Sequence, residues 1–284
     1  MNKHPMLTIC ADHDFLQVVL SFVENTCSGY KLGKRETTAL VLAAEEVFAY
    51  LSQHNGGTMI TLECRPKPYL MEMTLKFNAQ TFNVMAFNLT SSVDFKDESS
   101  LDKMGLLLAS RMVDRFSMNQ AGPAIHMSFL KYRNYPEKGV VNYHPAPLDP
   151  GSGAWVHPAL EKKIRDQYNT LFLPRNILAV AQDMEPSSPH SVISSEMNRS
   201  SDSVVMHPLI FGKDTLENLG DHLSLFKSEG YKEISFQLDL GQSDQTGWVP
   251  SLIEHDFIPE LLLPYGGKGD LLIMTYKSHP KAGI

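Results

Sequence analysis

Apolar and polar positions change period several times along the first 130 residues, and each change predicts an element. MLTICA (Met6–Ala11) alternates as a strand does. Asp12 or Asp14 can cap a helix through about Thr26, with Phe15, Val18, Val19, Phe22 and Val23 on one face. Gly29 ends that helix and Gly33 lies in the following turn. A second helix, Glu36–His54, stops at Asn55-Gly56-Gly57. Strands then follow at Thr58–Arg65 and Tyr69–Phe77, joined by Pro66-Lys67-Pro68. Residues 78–100 are polar and irregular, with one short helical stretch. Leu101–Asp114 is helical, with Leu106, Leu107, Met112 and Val113 as core. RFSMNQ and AIHMSFLKY close a hairpin around Ala121-Gly122-Pro123. The order β-α-α-β-β-α-β-β predicts an α+β fold, a two-layer sandwich with one layer of helices on a mixed sheet.

The periodicity lapses between Asn134 and Trp155, where prolines and glycines accumulate. That composition predicts a linker, dividing the chain into 1–133, a connection 134–156, and a smaller α/β domain 157–284. In the second part Pro158–Asn169 reads as a helix, and Gln182–Asp202, rich in Ser, Pro and Asn, as an exposed excursion. A strand SVVMHPLIF, a helix Asp214–Glu229 capped by Asp214, and a strand EISFQLDL come next. A short helix Val249–Glu254 precedes a final hairpin, FIPELLLP with DLLIMTYK, across Tyr265-Gly266-Gly267-Lys268-Gly269.

Composition then narrows the function. A chain that is 43% hydrophobic and 20% charged can bury a sizeable core. A net charge of −7 argues against general attraction to nucleic acid or an anionic membrane. No run approaches a membrane span and MNKHPMLTICADHD has no signal-peptide apolar region, so a cytoplasmic location is expected. Cys10, Cys27 and Cys64 are scattered, which suggests reduced thiols and no disulfide frame or zinc site. The histidines never reach metal-ligand spacing, and no Gly-x-Ser-x-Gly elbow is present.

LAAEEVFAYLSQH (Leu42–His54) carries the adjacent acids Glu45 and Glu46 in an otherwise apolar helix, with Tyr50 one turn beyond Glu46. Together with KMGLLLASRMVDRF, this stretch resembles the bacterial anti-sigma-factor serine kinase family, within the histidine-kinase-like and Hsp90-like ATPases of the Bergerat fold. The resemblance covers roughly the first 130 residues and implies four nucleotide-binding boxes, the last a Thr on the closing strands that is not evident in GPAIHMSF. On the long helix it implies Glu-x-x-x-Asn on one face, an acid for the attacking group and an amide for Mg²⁺. Glu46 falls at the acid position and Tyr50 at the Asn position. In the second box the family has Asp-x-Gly, whose carboxylate accepts the adenine amino group. That Asp position holds Phe77 or Asn78, and the aromatic that follows is Phe82. In the third, a Gly-x-Gly-Leu turn opens a helix and binds phosphate through its N–H groups. Lys103 stands for the first glycine, and Gly105 and Leu106 are kept.

The C-terminal segment looks like the terminal half of an N-acetyltransferase-like fold, with Asp256-Phe257 where Gly-Phe is common. Only Gly212 and Lys213 stand in for the turn that seats the coenzyme A pyrophosphate. GGKG (Gly266–Gly269) reads as a hairpin turn. The expectation is a bacterial regulatory protein with a degenerate site for ATP or ADP, holding Mg²⁺ weakly or not at all. By resemblance its partner is a sigma factor or an anti-sigma antagonist, and a homodimer is a further expectation. The alternatives are an active Mg-ATP-dependent serine/threonine kinase or ATPase with Glu46 catalytic, or an acyltransferase using acetyl-CoA.

Overall fold

The computed structural model describes residues 4–79, 82–90, 98–134, 153–180, 184–186 and 188–277; of these, the side chains of 98–103 and 179 lie outside the description. The chain divides into two compact units, Met1–Val141 and Asn142–Ile284. Residues 135–152 of the expected connection lie outside the described residues.

The first unit runs β1 (Met6–Cys10), α1 (Leu16–Gly29), α2 (Lys34–His54), β2 (Met59–Pro66), β3 (Leu70–Asn78), α3 (Glu98–Arg111), β4 (Arg115–Ala121) and β5 (Ala124–Tyr132). The strands form one sheet in the order β1-β2-β3-β5-β4. All four pairings are antiparallel, which corrects the expected mixed sheet. The reason lies in the connections. Two successive helices between β1 and β2 return the chain reversed. The single helix between β3 and β4 would make those two parallel, but β5 inserts between them.

The helices cover one face of this sheet. α1 buries Val19, Val23 and Cys27, whereas Phe15 and Val18 of the expected face are exposed. It ends at Gly29 as expected, and the left-handed residue of the following turn is Lys31, at φ 58°. α2 buries Leu40, Ala43, Ala44, Val47, Phe48 and Leu51 between α1, α3 and the sheet. Gly33 precedes its first residue, and the Glu36 carboxylate folds back over the helix start into the space a Cβ there would take. Leu106 and Ala109 of α3 complete the layer. Alternation in β3 sends Met71, Met73, Leu75 and Phe77 to the helices, and Glu72, Thr74, Lys76 and Asn78 to the other face.

The second unit contains β6 (Gly153–Val156), α4 (Glu161–Thr170), β7 (Asn176–Ala179), β8 (Val192–Asn198), β9 (Ser203–Ile210), α5 (Thr215–Ser228), β10 (Glu233–Asp239), α6 (Val249–Glu254), β11 (Phe257–Leu263) and β12 (Leu271–Tyr276). Its main sheet has the order β11-β12-β10-β9-β8, with β9 and β10 parallel and the other neighbours antiparallel. Two expectations are corrected here. Residues 153–156, assigned to the linker, form β6 and pair in parallel with β7. Residues 192–198, assigned to an exposed excursion, form β8, with Val192, Ile193 and Ser195 fully buried. Serine content weakens the strand signal here, because a strand tolerates Ser wherever its neighbours supply the apolar face.

A buried ion pair joins the residue before β7 to the last hairpin, with the end of α4 adding a hydrogen bond. Arg175 donates to both Asp270 oxygens at 2.8 and 3.3 Å, and the Tyr168 hydroxyl donates to Asp270 at 2.9 Å. The Tyr265 N–H adds a further bond at 3.0 Å, and its ring lies under the Arg175 guanidinium. Burial alone would raise the Asp270 pKa, but these donors hold it below the ordinary 3.8. A depressed carboxylate stabilises the fold above its unfolded pKa and loses that contribution as pH falls through the folded value. Replacing Arg175 by Met leaves a buried, uncompensated charge and is expected to destabilise this unit by about 3–5 kcal/mol at pH 7. The deficit should shrink below pH 3.8, as urea unfolding at both pH values would read.

Candidate functional site

The site suggested by the sequence lies on the helix-covered face of the first unit, between α2, the end of β3, the segment 82–88 and α3. Its most conspicuous feature is a run of aromatic rings. Tyr50, 6% exposed, meets the edge of Phe82 with centroids 5.5 Å apart, and lies 4.4 Å from the His54 ring one turn on. Phe82 is 5.4 Å from Phe77 and 6.3 Å from Phe87. Phe87 stacks on Phe116 at 4.9 Å, and Phe116 lies 4.9 Å from Phe129. Edge-to-face and offset contacts at these separations are the favourable ones for aromatic rings. Local chain geometry delivers them. Asn83 accepts a bond from the Met85 N–H at 3.1 Å and starts the one-turn helix Val84–Phe87, which sets Val84, Ala86 and Phe87 inward.

The expected site residues separate into three groups. Tyr50 and Phe82 are brought together, as packed rings. Glu46 and Gly105 are also neighbours: a Cβ at Gly105 would collide with the Glu46 carboxylate, so this glycine lets α3 approach α2 closely. Burial raises the Glu46 pKa, and the adjacent Glu45 raises it further.

Asn78 is not part of this assembly. The two-residue period of β3 puts it on the opposite face of the sheet, beside Lys76, and places Phe77 against the helices. The phosphate turn is also corrected. α3 begins at Glu98, so Gly105 is its eighth residue, and its N–H lies beyond the first four that a helix leaves open. Leu106 is fully buried and serves the core. The Lys103 side chain lies outside the described residues.

Phe87, Phe116 and Phe129 were not singled out by motif reading, because no family box contains them. The alternation in TLKFN could have excluded Asn78, since Thr74, Lys76 and Asn78 share a polar face.

No family model matches the chain, and no curated protein matches it. Among solved structures it is similar to the RsbU and RsbW domains of Rv1364c from Mycobacterium tuberculosis. That match has 12% identity and a TM-score of 0.35, over 48% of this chain and 35% of that chain. The chain thus matches about a third of that protein's length, and a likeness of this size carries no functional argument.

In the second unit, the turn between β9 and α5 stands where the resemblance expects a pyrophosphate. Here the chain's own backbone occupies it. A Cβ at Gly212 would strike His190 and Ser191, and the Lys213 N–H donates to Ser188 O at 3.0 Å. Asp214, expected to cap α5, makes no side-chain cap bond. Its carboxylate accepts from the Ser191 N–H at 2.5 Å and contacts His190 Nδ1 at 3.1 Å. Asp256, at φ 61°, takes the left-handed conformation that Gly commonly fills before the buried Phe257. Among the described residues no group of three His, Cys, Asp or Glu could hold a metal.

Three outcomes are expected from these contacts. Phe82→Ala should cost about 3–5 kcal/mol in chemical unfolding, because it empties the centre of the ring cluster, whereas Asn78→Ala should stay within about 0.5 kcal/mol. A carboxyl whose folded pKa is raised favours the fold when protonated and loses that contribution as pH rises. Glu46→Gln should therefore raise the melting temperature at pH 7, with the gain disappearing below the ordinary value of 4.5.

Proposed function

We propose that the protein is a regulatory module that works by binding another protein, with the first unit's ancestral nucleotide cleft closed by its own side chains. The observation that carries this reading is the Tyr50–Phe82–Phe77 contact. These rings stand where the resemblance calls for an Mg²⁺-binding amide, the aromatic beside the base, and the adenine-binding carboxylate. A phenol is a poor ligand for a hard cation, and a benzyl group accepts no hydrogen bond. Phosphoryl transfer depends almost wholly on positioning and on Mg²⁺. In this reading Glu46 retains the place of the family's acid, but it serves the contact between α2 and α3.

The same resemblance supports a sigma factor or an anti-sigma antagonist as the partner. For the second unit we propose an N-acetyltransferase-like half-fold without acyl transfer. The parallel pair β9–β10 flanking α5, the late helix α6, the left-handed Asp256 and the closing hairpin support the fold. The filled turn at Gly212 and the Asp214 carboxylate disfavour an anionic coenzyme there.

The discriminating experiment is calorimetric titration of the full chain with Mg-ATP, acetyl-CoA, and purified sigma factors and antagonists from the source organism. The expected result is saturable binding of one protein and no saturable heat from either nucleotide at about millimolar concentration. Micromolar Mg-ATP affinity, lost in Tyr50→Ala, would overturn the reading in favour of the kinase.

A further inference from the structure

The face of the first unit's sheet away from the helices carries a concavity that the reading above does not use. We propose that it binds a small monoanionic carboxylate, held by Lys76 with Thr61, Asn78, Asn119 and His126 around it.

Register sets the site. Thr61, Lys76, His126 and Asn119 face one another in a single row across β2, β3, β5 and β4. The next row towards the sheet end contains Asn78, Ala124 and Ala121. Two alanines beside Lys76, His126 and Met59 leave a depression, with a cavity volume of about 420 Å³. That size lies at the lower end of small-molecule sites, commonly about 300–1,000 Å³.

Charge selects the ligand. No carboxylate lines the depression. The acids nearby on this face are already engaged. Glu63 takes both bonds of a bidentate pair with Arg65, at 2.7 and 2.8 Å. Glu72 pairs with Lys67 at 3.2 Å and accepts from the Ser128 hydroxyl at 3.1 Å. Among the described residues Lys76 makes no ion pair, and the side chains of Asn78 and Asn119 make no hydrogen bond. Burial, together with Lys76 and Arg65, lowers the His126 pKa from its ordinary 6.5, while Glu72 and Glu63 oppose the shift. The imidazole is therefore neutral at pH 7 and the lining has a net charge of +1. One ammonium and two amides, beside a Thr61 hydroxyl that also bonds the Thr8 hydroxyl at 3.2 Å, suit a singly charged acceptor that takes lateral hydrogen bonds. Met59, Ala121 and Ala124 supply an apolar margin for the rest of the molecule.

The test is amide and histidine NMR of the full chain titrated with benzoate, and in parallel with benzamide and with inorganic phosphate. The expected result is saturable shifts at Lys76, Asn78, Asn119 and His126 with benzoate, and at least tenfold weaker binding of benzamide and of phosphate. Bound benzoate should raise the pH at which the His126 ring titrates, because an adjacent anion favours imidazolium. Lys76→Met, a change at an exposed position, should weaken benzoate at least tenfold while leaving the remaining spectrum intact. Absence of saturable shifts, equal binding of benzamide, preference for phosphate, or unchanged affinity in Lys76→Met would each overturn the proposal. Because the depression and the aromatic cluster occupy opposite faces of the sheet, either result leaves the reading of the cleft untouched.

Discussion

Neighbouring side chains on a β-strand point to opposite faces, and in β3 this constraint separates Phe77 from Asn78. Leu75 and Phe77 enter the helix layer, and Lys76 and Asn78 enter the open face. The ring cluster needs Phe77 inward, since Phe82 packs against it and against Tyr50 at once. The polar row on the other face needs Lys76 outward, in line with Thr61 and His126. A slip of one residue in β3 would exchange the two sets, burying an ammonium and exposing a phenyl ring, which fixes the register strongly.

Inside the helix layer, packing and electrostatics act in the same direction. Each ring in the run from Tyr50 to Phe129 gains from burial, and each ring pair gains a further contribution of about 0.5–1.5 kcal/mol beyond area. In the proposed reading, a triphosphate in that volume would displace these contacts and approach Glu46, whose carboxyl already resists ionisation. The helical position of Gly105 has a similar effect. Extending α3 to Glu98 converts backbone that could face a phosphate into part of the helix's own hydrogen bonding. Gly105 still has a role, because the Glu46 carboxylate occupies the space a Cβ would take and would have to turn aside for any other residue.

Much of the architecture was legible because hydrophobic period and breaker residues report local geometry directly. The runs before Asn55-Gly56-Gly57 and around Gly122 gave α2 and the β4–β5 hairpin nearly to the residue. Pairing direction was less accessible, since it depends on β5 inserting between β3 and β4, a long-range choice. β8 was missed because Ser194 and Ser195 dilute its apolar signal, although Val192 and Ile193 are fully buried. At the site, motif positions picked out Glu46, Tyr50, Phe82 and Gly105 one by one, but did not show that Glu46 meets Gly105 or that Tyr50 meets Phe82. They could not show that Phe87 and Phe116 extend the cluster, although the period of Leu101–Asp114 already set Gly105 within a helix.

The glycine-rich turn of the second unit shows why a phosphate-like motif need not imply a phosphate. Backbone N–H groups of Gly241, Lys268 and Gly269 converge on the Asp239 carboxylate at 2.9, 2.7 and 2.9 Å. Gln242 adds a side-chain bond at 3.2 Å. Convergent N–H groups of this kind form a concavity that accepts an anion. Here the anion is covalently part of the chain. A Cβ at Gly267 or Gly269 would strike Asp239 or the backbone at Leu240 and Gly241, so the glycines are required by the carboxylate's approach. Asp214 repeats the device on a smaller scale by accepting from the Ser191 N–H beside Gly212. An intramolecular carboxylate does not dissociate, so its attraction to the turn contributes to fold stability at any ligand concentration. Backbone geometry suited to binding an anion is thus used in this unit to lock the last hairpin to β10.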